Sequence, residues 1–397
     1  MRVIFWLGCA CYLLIGLAHV VVGSVLEEMM TYYGRSYSDG GQLVFNQFAG
    51  FLVGVLLTPT ITRRIGRRET LIIALLALTI GELVYCFLPP WGWMLATAPV
   101  AGLGFGVIEA VIGAIIIEFV QDNTAVAMSR LEVFFGVGAL LIPLISGVLI
   151  LYGVWNLSFL TVAVLSAVIG ALWIFMPVGK HRGTLSRNPD AALPSKSAPV
   201  KRLDGIGISF LTLMVIFFMV YVGAEMSFVN FAPSMLIENT GASSAEAAIS
   251  NTFFWTAMAV GRLFAGVLAQ RVGYAKYLLY SCGFSLVMVA VFSLTNTLWS
   301  SIGVIVLLGL GMAGIFSIAL VAANLLMPGR TERTTSLLVA AGGIGGAVVP
   351  RVIGWLMDAF GTAGAQWLLI SIMLVMLLIM IASALLGKKV AVISGQA

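Results

Sequence analysis

The chain has 397 residues, of which 61% are hydrophobic and 9% are charged, and its mean hydropathy of +1.09 excludes a soluble globular domain. The formal net charge of +5 could indicate nucleic-acid binding, but the basic residues lie between apolar segments, which argues against that class of partner. All four cysteines lie inside apolar segments without metal-ligand spacing, so we expect neither disulfides nor a metal site.

Apolar segments of about 20 residues or more recur along the chain, and each is long enough to cross about 30 Å of hydrocarbon as a helix. The first segment continues through Val25 without a small-residue cleavage site, so we expect a membrane helix and not a signal peptide. The sequence therefore predicts an all-α membrane protein with 12 transmembrane helices. The predicted spans are residues 3–26, 40–62, 69–88, 92–119, 128–150, 154–177, 205–232, 245–270, 275–294, 298–327, 332–357 and 363–387.

Basic residues predict the orientation of these spans. Of the 21 Lys and Arg residues, all but Arg35, Arg262 and Arg351 lie in alternate loops or at the chain ends. By the positive-inside rule these loops are cytoplasmic, as are both termini. We expect a multi-pass protein of a bacterial cytoplasmic (inner) membrane, and the basic excess is also suited to contact with anionic lipid.

The spans divide into two halves that repeat one pattern. Residues 179–204 are rich in Ser, Pro and basic side chains and are predicted to be a cytoplasmic linker between a bundle at 1–178 and a bundle at 205–389, with a tail at 390–397. Residues in the two halves match at a constant offset of 207. The matches include Gly16 with Gly223, Gly54 with Gly261, Arg64 with Arg271, Gly66 with Gly273, Gly102 with Gly309, and Pro143 with Pro350.

Two parallel six-helix repeats are typical of a transporter whose solute site lies at the repeat interface near the bilayer midplane. Such a repeat is not expected of channels or membrane enzymes. No catalytic triad, zinc-ligand spacing or phosphate-binding loop occurs in the sequence, so we expect neither an enzyme nor a cofactor. One such chain encloses a complete pathway, and a monomer is expected.

The loop after the second span carries a basic motif, Arg64-x-Gly66-Arg67-Arg68, and Arg271-x-Gly273 repeats part of it. Gly allows a tight turn, and arginines can cap helix C-termini or pair with carboxylates, so we predict a gating loop; arginines that only set topology are the alternative. The motif resembles the loop 2/3 signature of the major facilitator superfamily. It departs from that signature at Pro59 and Arg63, which removes the usual acid.

Ionisable side chains inside membrane spans are costly, about 2.5 to 3.5 kcal/mol each on insertion scales, and are functional candidates for that reason. Glu109 lies on a helix stripe with Gly102, Gly106 and Gly113, where either function or a hydrogen bond between helices would explain it. Glu132 lies near the cytoplasm, so we expect a role in gating or proton exit. For Glu82 we expect a structural role. The predicted solute-binding residues are His19, Asn46, Gln47, Glu109, Tyr221, Glu225, Asn230, Asn251, Trp255 and Asn324.

Two of these candidates have an alternative that the sequence leaves open. Trp255 shares a helix face with Asn251 and Arg262, which suits a sugar whose C–H face stacks on an indole, but a packing role is an equal alternative. His19 could likewise be a neutral core residue.

Several stretches resemble the fucose–galactose–glucose:proton symporter branch of the major facilitator superfamily, most closely its Bacillus-type glucose/mannose permeases. They include Gly16-Leu-Ala-His19, Asn46-Gln47-Phe48, Gly104-x-Gly106-x-x-Glu109, Arg130-Leu-Glu132, Tyr221-Val-Gly-Ala-Glu225 and Gly261-Arg262. The resemblance implies two pseudo-symmetric six-helix bundles and a role of Glu109 in solute and proton coupling. In the fucose permease of this branch a helix-1 Asp shares that task, and this chain has no Asp in helix 1. Proton coupling is therefore expected to run through Glu109 and Glu225, with Glu132 towards the cytoplasmic exit, or not to operate.

The first functional hypothesis is uptake of a neutral, glucose-like hexose with a proton by alternating access. The alternative is a proton-driven exporter of drugs, peptides or lipid-like compounds. A narrow cavity lined by Asn, Gln and Trp favours sugar, whereas a wide, Met-rich and aromatic cavity favours export. A membrane receptor or enzyme would require a soluble domain or a catalytic constellation, and the sequence contains neither.

Overall fold

The computed structural model describes residues 2–119, 124–175, 205–327 and 331–394, and all regular secondary structure in these ranges is helical. We number the helices in chain order. They are α1 Arg2–Ser24, α2 Leu26–Tyr33, α3 Tyr37–Ile65, α4 Arg67–Cys86, α5 Trp91–Phe119, α6 Thr124–Leu151, α7 Leu157–Phe175, α8 Gly205–Thr240, α9 Ser244–Val272, α10 Tyr274–Phe292, α11 Leu298–Met312, α12 Ile315–Leu325 and α13 Thr331–Ser394.

Within the described ranges, 11 helical segments are long and apolar enough to cross a membrane. The last of them, Thr334–Gly387, contains a non-helical residue, Gly361 (φ 69°, ψ −172°), which separates two spans. The prediction of an all-α membrane protein with 12 transmembrane helices is therefore confirmed. The predicted linker at 179–204 lies outside the described residues, and α13 continues to Ser394, past the predicted start of the tail at 390.

Two features of the helices differ from the predicted spans. The short helix α2 follows α1 directly; it buries Leu26, Met29 and Met30 and ends at Gly34 in the left-handed conformation (φ 58°). A helix of 8 residues is too short for the hydropathy pattern of the sequence to reveal it. The predicted span 298–327 is interrupted between α11 and α12, so it consists of two helices.

The structure divides into two compact units, which are described separately. Unit 1 contains α1–α7 together with Ser243–Thr252, a segment that includes the start of α9. In unit 1, α1 packs on α6, α3 on α5, and α4 on both α5 and α7. Unit 2 contains α8 and the chain from Phe253 onward, in which α8 packs on α13, and α10 on α11 and α13.

The helix starts of the two halves are built alike. Ser36 and Asp39 form a capping box at the start of α3, in which the Ser36 hydroxyl accepts from the Asp39 amide and Asp39 Oδ2 accepts from the Ser36 amide. Ser243 and Glu246, 207 residues further along, make the same pair of hydrogen bonds at the start of α9. Such a cap contributes about 1 kcal/mol by satisfying amides that the first turn leaves unpaired.

Helix packing in the two units also repeats. A Cβ atom added at Gly102 would overlap the Gln47 carbonyl oxygen, and one added at Gly309 would lie 2.5 Å from the Phe254 carbonyl oxygen. Gln47 and Phe254 are themselves 207 residues apart. Glycine is needed at these positions because it lets two helix backbones approach directly.

Candidate functional site

In unit 1, His19 of α1 lies among four phenylalanine rings. The centroid distances are 5.2 Å to Phe48, 5.7 Å to Phe51, 4.7 Å to Phe105 and 5.5 Å to Phe135. These rings come from α3, α5 and α6, so three helices place the imidazole. Its Nδ1 atom is buried and forms no hydrogen bond of good geometry in the described part of the chain. The imidazole therefore lies in an aromatic environment, which suits its neutral form.

Two carboxyl groups and a phenol form a second cluster in unit 1. The hydroxyl of Tyr12 lies within electrostatic range of Glu109 and Glu132, and the two acids interact with each other. Tyr12 is 4% exposed, Glu109 is partly buried and Glu132 is exposed. A Cβ atom at Gly113, one turn beyond Glu109, would lie 3.6 Å from the Tyr12 hydroxyl oxygen. Because two interacting carboxyl groups disfavour double ionisation, these acids are candidates for binding a proton.

The predicted amide residues of unit 1 connect helices. The side-chain NH₂ of Gln47 donates to the Ala18 carbonyl at 3.3 Å, and that of Asn46 donates to the Leu95 carbonyl at 3.0 Å. Asn46 Oδ1 also accepts from Gln42 at 2.7 Å. In this conformation these donors therefore hold α3 against α1 and α5.

In unit 2, Tyr221 is the centre of a polar cluster. Its hydroxyl donates to the Met312 carbonyl oxygen at 3.3 Å and interacts electrostatically with Glu225 and Arg262. Tyr221 is 1% exposed and Glu225 is 6% exposed. Arg262 also donates to the Met258 sulfur at 3.3 Å. The cluster joins an acid, a base and a phenol from α8 and α9 inside membrane spans.

The amide side chains later in the sequence are also engaged in the protein. Asn230 donates to the Met226 carbonyl, one turn earlier in α8, at 2.8 Å, and is 2% exposed. Asn324 of α12 donates to the Thr335 hydroxyl at 2.9 Å. Its Oδ1 atom is buried and has no hydrogen-bond partner in the described ranges, so it is an available acceptor.

Asn251 and Trp255 lie one helical turn apart on α9 but belong to different units. Each is 1% exposed. The Trp255 ring lies 5.7 Å from that of Phe254, which lies 5.4 Å from Phe228 of α8. The indole is thus part of an aromatic group in this conformation.

The first gating-loop motif contacts the end of another helix. Arg68 donates to the Trp173 carbonyl at 3.1 Å and to the Ile174 carbonyl at 2.6 Å, and these are among the last residues of α7. A guanidinium at this position satisfies carbonyls that the last helical turn leaves unpaired and complements the helix dipole. The equivalent position of the second half is Ala275, which cannot form this cap.

The two loop glycines share an unusual backbone conformation. Gly66 has φ 98° and Gly273 has φ 90°, and each directly precedes a helix, α4 or α10. Positive φ favours glycine, so both turns depend on it. Among the arginines of the two motifs, Arg64 and Arg271 are exposed and Arg67 is partly buried.

Glu82 of α4 lies apart from these clusters. It is 0% exposed, and neither carboxyl oxygen has a hydrogen-bond partner among the described residues. An ionised carboxylate in such surroundings would be very costly, so the group is neutral in this conformation.

Sequence reasoning missed Tyr12 and the four phenylalanines around His19. Tyr12 could have been found because it precedes His19 by seven residues on one face of α1. The phenylalanines carry no such signal, since a ring in an apolar span reads as ordinary packing. Among the described residues, no group of three or more His, Cys, Asp and Glu side chains could hold a metal ion.

Comparison with known proteins relates the chain to membrane transporters. The sequence profile of the Major Facilitator Superfamily matches residues 8–225 and again residues 213–396. The glucose/mannose transporter GlcP of Bacillus subtilis is 29% identical over 356 residues, which cover 89% of this chain and 88% of GlcP. The mouse sodium-dependent glucose transporter 1A is 22% identical over 64% of this chain and 66% of its own length.

A similar fold is found in the crystal structure of a D-xylose-proton symporter. It superposes with a TM-score of 0.79 at 15% identity and covers 95% of this chain and 96% of its own.

Proposed function

The chain belongs to the major facilitator superfamily, and on this premise we propose that it carries a neutral, glucose-like hexose together with a proton across a bacterial cytoplasmic membrane. The observation that carries the proposal is Glu225, an acid that is 6% exposed within a membrane-spanning helix and interacts with the hydroxyl of Tyr221. An ionisable group inside a membrane span is costly, and this cost makes Glu225 a functional candidate.

Coupling follows from the two charge states of such an acid. A buried carboxyl is stable when neutral or beside an opposite charge, and an opening of the site to water on one side lets it release its proton there. Glu109 in unit 1 can do the same, because it interacts with Glu132 and Tyr12. A solute that binds better to one charge state then moves with the proton.

The hexose is supported by the chemistry of the other candidate side chains in the two units. Neutral amides, the imidazole of His19 and the indole of Trp255 can bind hydroxyl groups and sugar C–H faces without requiring a charge on the solute. The names of the relatives point the same way, since GlcP is a glucose/mannose transporter. The name of the mouse relative makes sodium the alternative coupling ion.

We further propose that both termini are cytoplasmic and that the chain acts as a monomer. The orientation is supported by the distribution of Lys and Arg among the loops.

The test is uptake of labelled glucose by proteoliposomes, with an inward proton gradient, an inward sodium gradient or neither. We expect accumulation only with the proton gradient, and we expect Glu225→Gln or Glu109→Gln to abolish accumulation while exchange of internal for external glucose continues. Glu82→Gln is the matched control, because it also replaces a buried membrane acid by its amide but should leave accumulation unchanged. If the sodium gradient drives accumulation, the coupling ion is sodium and not the proton. If the folded protein neither accumulates nor exchanges glucose, the hexose proposal is refuted and the exporter hypothesis is favoured.

A further inference from the structure

The span from Leu298 to Leu325 is interrupted by a turn at Ala313 and Gly314. The equivalent part of unit 1, around Gly106, lies inside the uninterrupted helix α5. A break inside a membrane requires other partners for the backbone groups that it releases. The groups that bond to this backbone in unit 2 therefore indicate what stabilises the break.

One partner is the phenol of Tyr221. It donates to the carbonyl of Met312, the last residue of α11. The ring of Tyr221 lies 6.4 Å from that of Phe316, just after the break. Arg262 follows Gly261, where an added Cβ atom would lie 2.6 Å from the Cβ atom of Ala313. Both α8 and α9 thus contact the chain at the interruption.

The same phenol lies within electrostatic range of Glu225 and Arg262. Glu225 is one turn beyond Tyr221 on α8, and Arg262 is on α9. Glu225 is buried and Arg262 is partly buried, and both act on the same phenol. An acid and a base in one membrane-spanning region reduce each other's cost when they lie close together. Other ionisable groups on these helices include Glu238 on α8, Arg271 on α9, Lys276 and Cys282 on α10, and Arg351 and Asp358 on α13; α11 and α12 contain no charged residue. Of these groups, Cys282 also acts on Tyr221.

The charged cluster and the helix break occur in the same unit. At the repeat offset of 207, the unit 1 residues that correspond to the acid, the base and the phenol are all apolar, and α5 is unbroken. They are Ala18 for Glu225, Val55 for Arg262 and Leu14 for Tyr221. The half that has the charged cluster also has the helix break, and the half without the cluster has an unbroken helix, which associates the cluster with the break.

We propose that Arg262 is a positioning residue that supplies the counter-charge for Glu225, and that Tyr221 transmits the charge state of Glu225 to the helix break at Ala313 and Gly314. The phenol has one proton to donate. When Glu225 is neutral, Tyr221 keeps its hydrogen bond to the Met312 carbonyl, which is the bond present in the structure. When Glu225 is ionised, its carboxylate is the stronger acceptor and takes that hydrogen bond, so the Met312 carbonyl must find another partner and the break rearranges.

The proposal rests on Glu225 as the proton-binding group, but its test does not need a transported solute. The test is a double-mutant cycle on the thermal unfolding midpoint of the purified full chain. We expect Arg262→Met to lower the midpoint, and the double variant Arg262→Met with Glu225→Gln to recover part of the loss, because the uncompensated charge is gone. Arg262→Lys keeps the charge and should stay close to the wild type.

A matched cycle of Arg262→Met with Glu82→Gln should be additive, because Glu82 belongs to unit 1. If the effects of Arg262→Met and Glu225→Gln are also additive, Arg262 is not the counter-charge of Glu225.

Hydrogen exchange tests the connection to the break in variants that fold. We expect Tyr221→Phe to speed amide exchange in residues 312–318 about threefold to tenfold, with α5 unchanged as the internal control. Unchanged exchange at the break would overturn the role of Tyr221. The double-mutant cycle and the exchange measurement can both give the expected result while the wild type transports no glucose. That outcome would refute the hexose as the solute but would support the roles of Arg262 and Tyr221.

Discussion

The guanidinium of Arg68 donates a hydrogen bond of 2.6 Å to the carbonyl oxygen of Ile174, 106 residues along the chain. The bond connects the first turn of α4 to the end of α7, so the basic motif has a structural role in unit 1 besides its effect on topology. A second bond, to Trp173, makes the contact bidentate.

Loss of this cap should destabilise the protein. A charged donor that satisfies two carbonyls contributes about 1.5 to 3 kcal/mol when buried and less at a partly exposed position. We expect Arg68→Ala to lower the thermal unfolding midpoint by several degrees, measured in detergent with a thiol-reactive dye or by static light scattering. Arg63→Ala, an exposed arginine of the preceding helix end, is the control and should change it little. Equal effects of the two substitutions would contradict the cap.

The helix contacts at Gly102 predict a sharp difference between glycines. Gly102→Ala should prevent close packing of α5 on α3, because the new Cβ atom overlaps the Gln47 carbonyl oxygen. Gly303→Ala in α11, where an added Cβ meets nothing within 4 Å, should be neutral or stabilise the helix by up to about 1 kcal/mol. Size-exclusion chromatography of fluorescent fusions would compare the yields of folded protein. A folded Gly102→Ala protein with wild-type yield would show that the contact can relax.

Glu82 should tolerate loss of its charge but not a gain of the opposite charge. Glu82→Gln keeps the shape of a carboxyl group that is already neutral, so the unfolding midpoint should stay within about 2 °C of the wild type. Glu82→Lys places a cation at the same 0% exposed position and should abolish folding. Chromatographic profiles and thermal scans of both variants are sufficient. A strongly destabilised Glu82→Gln would mean that the carboxyl makes a specific bond.

His19 offers a test of the aromatic environment in unit 1. His19→Phe fills the same space among the four phenylalanines but removes the polar Nδ1 atom, so the protein should fold. If that atom binds the solute, the half-saturation concentration for glucose should rise about tenfold, the effect of losing one hydrogen bond. Phe135→Leu is the control for packing, with a smaller expected rise. An unchanged half-saturation concentration would assign His19 to the core.

Part of this structure was accessible from the sequence for simple reasons. Hydropathy reveals membrane spans because a helix in lipid must be apolar over its full length. The repeat was visible because the same glycines serve the same close contacts in both halves, as Gly102 and Gly309 do. The break at Ala313 and Gly314 left no mark, since the residues on both sides are as apolar as those of an unbroken span.

The sequence by itself determined the membrane class, the two six-helix halves and the short set of ionisable groups within the spans, because each of these depends on local composition or on a constant spacing. Only the tertiary structure decided which groups meet: Arg68 with the end of α7, His19 with four phenylalanines, and Tyr221 with Met312. These partners lie tens of residues apart or more. Which helix face turns toward which neighbour depends on the packing of whole helices, and no local pattern in the chain records it.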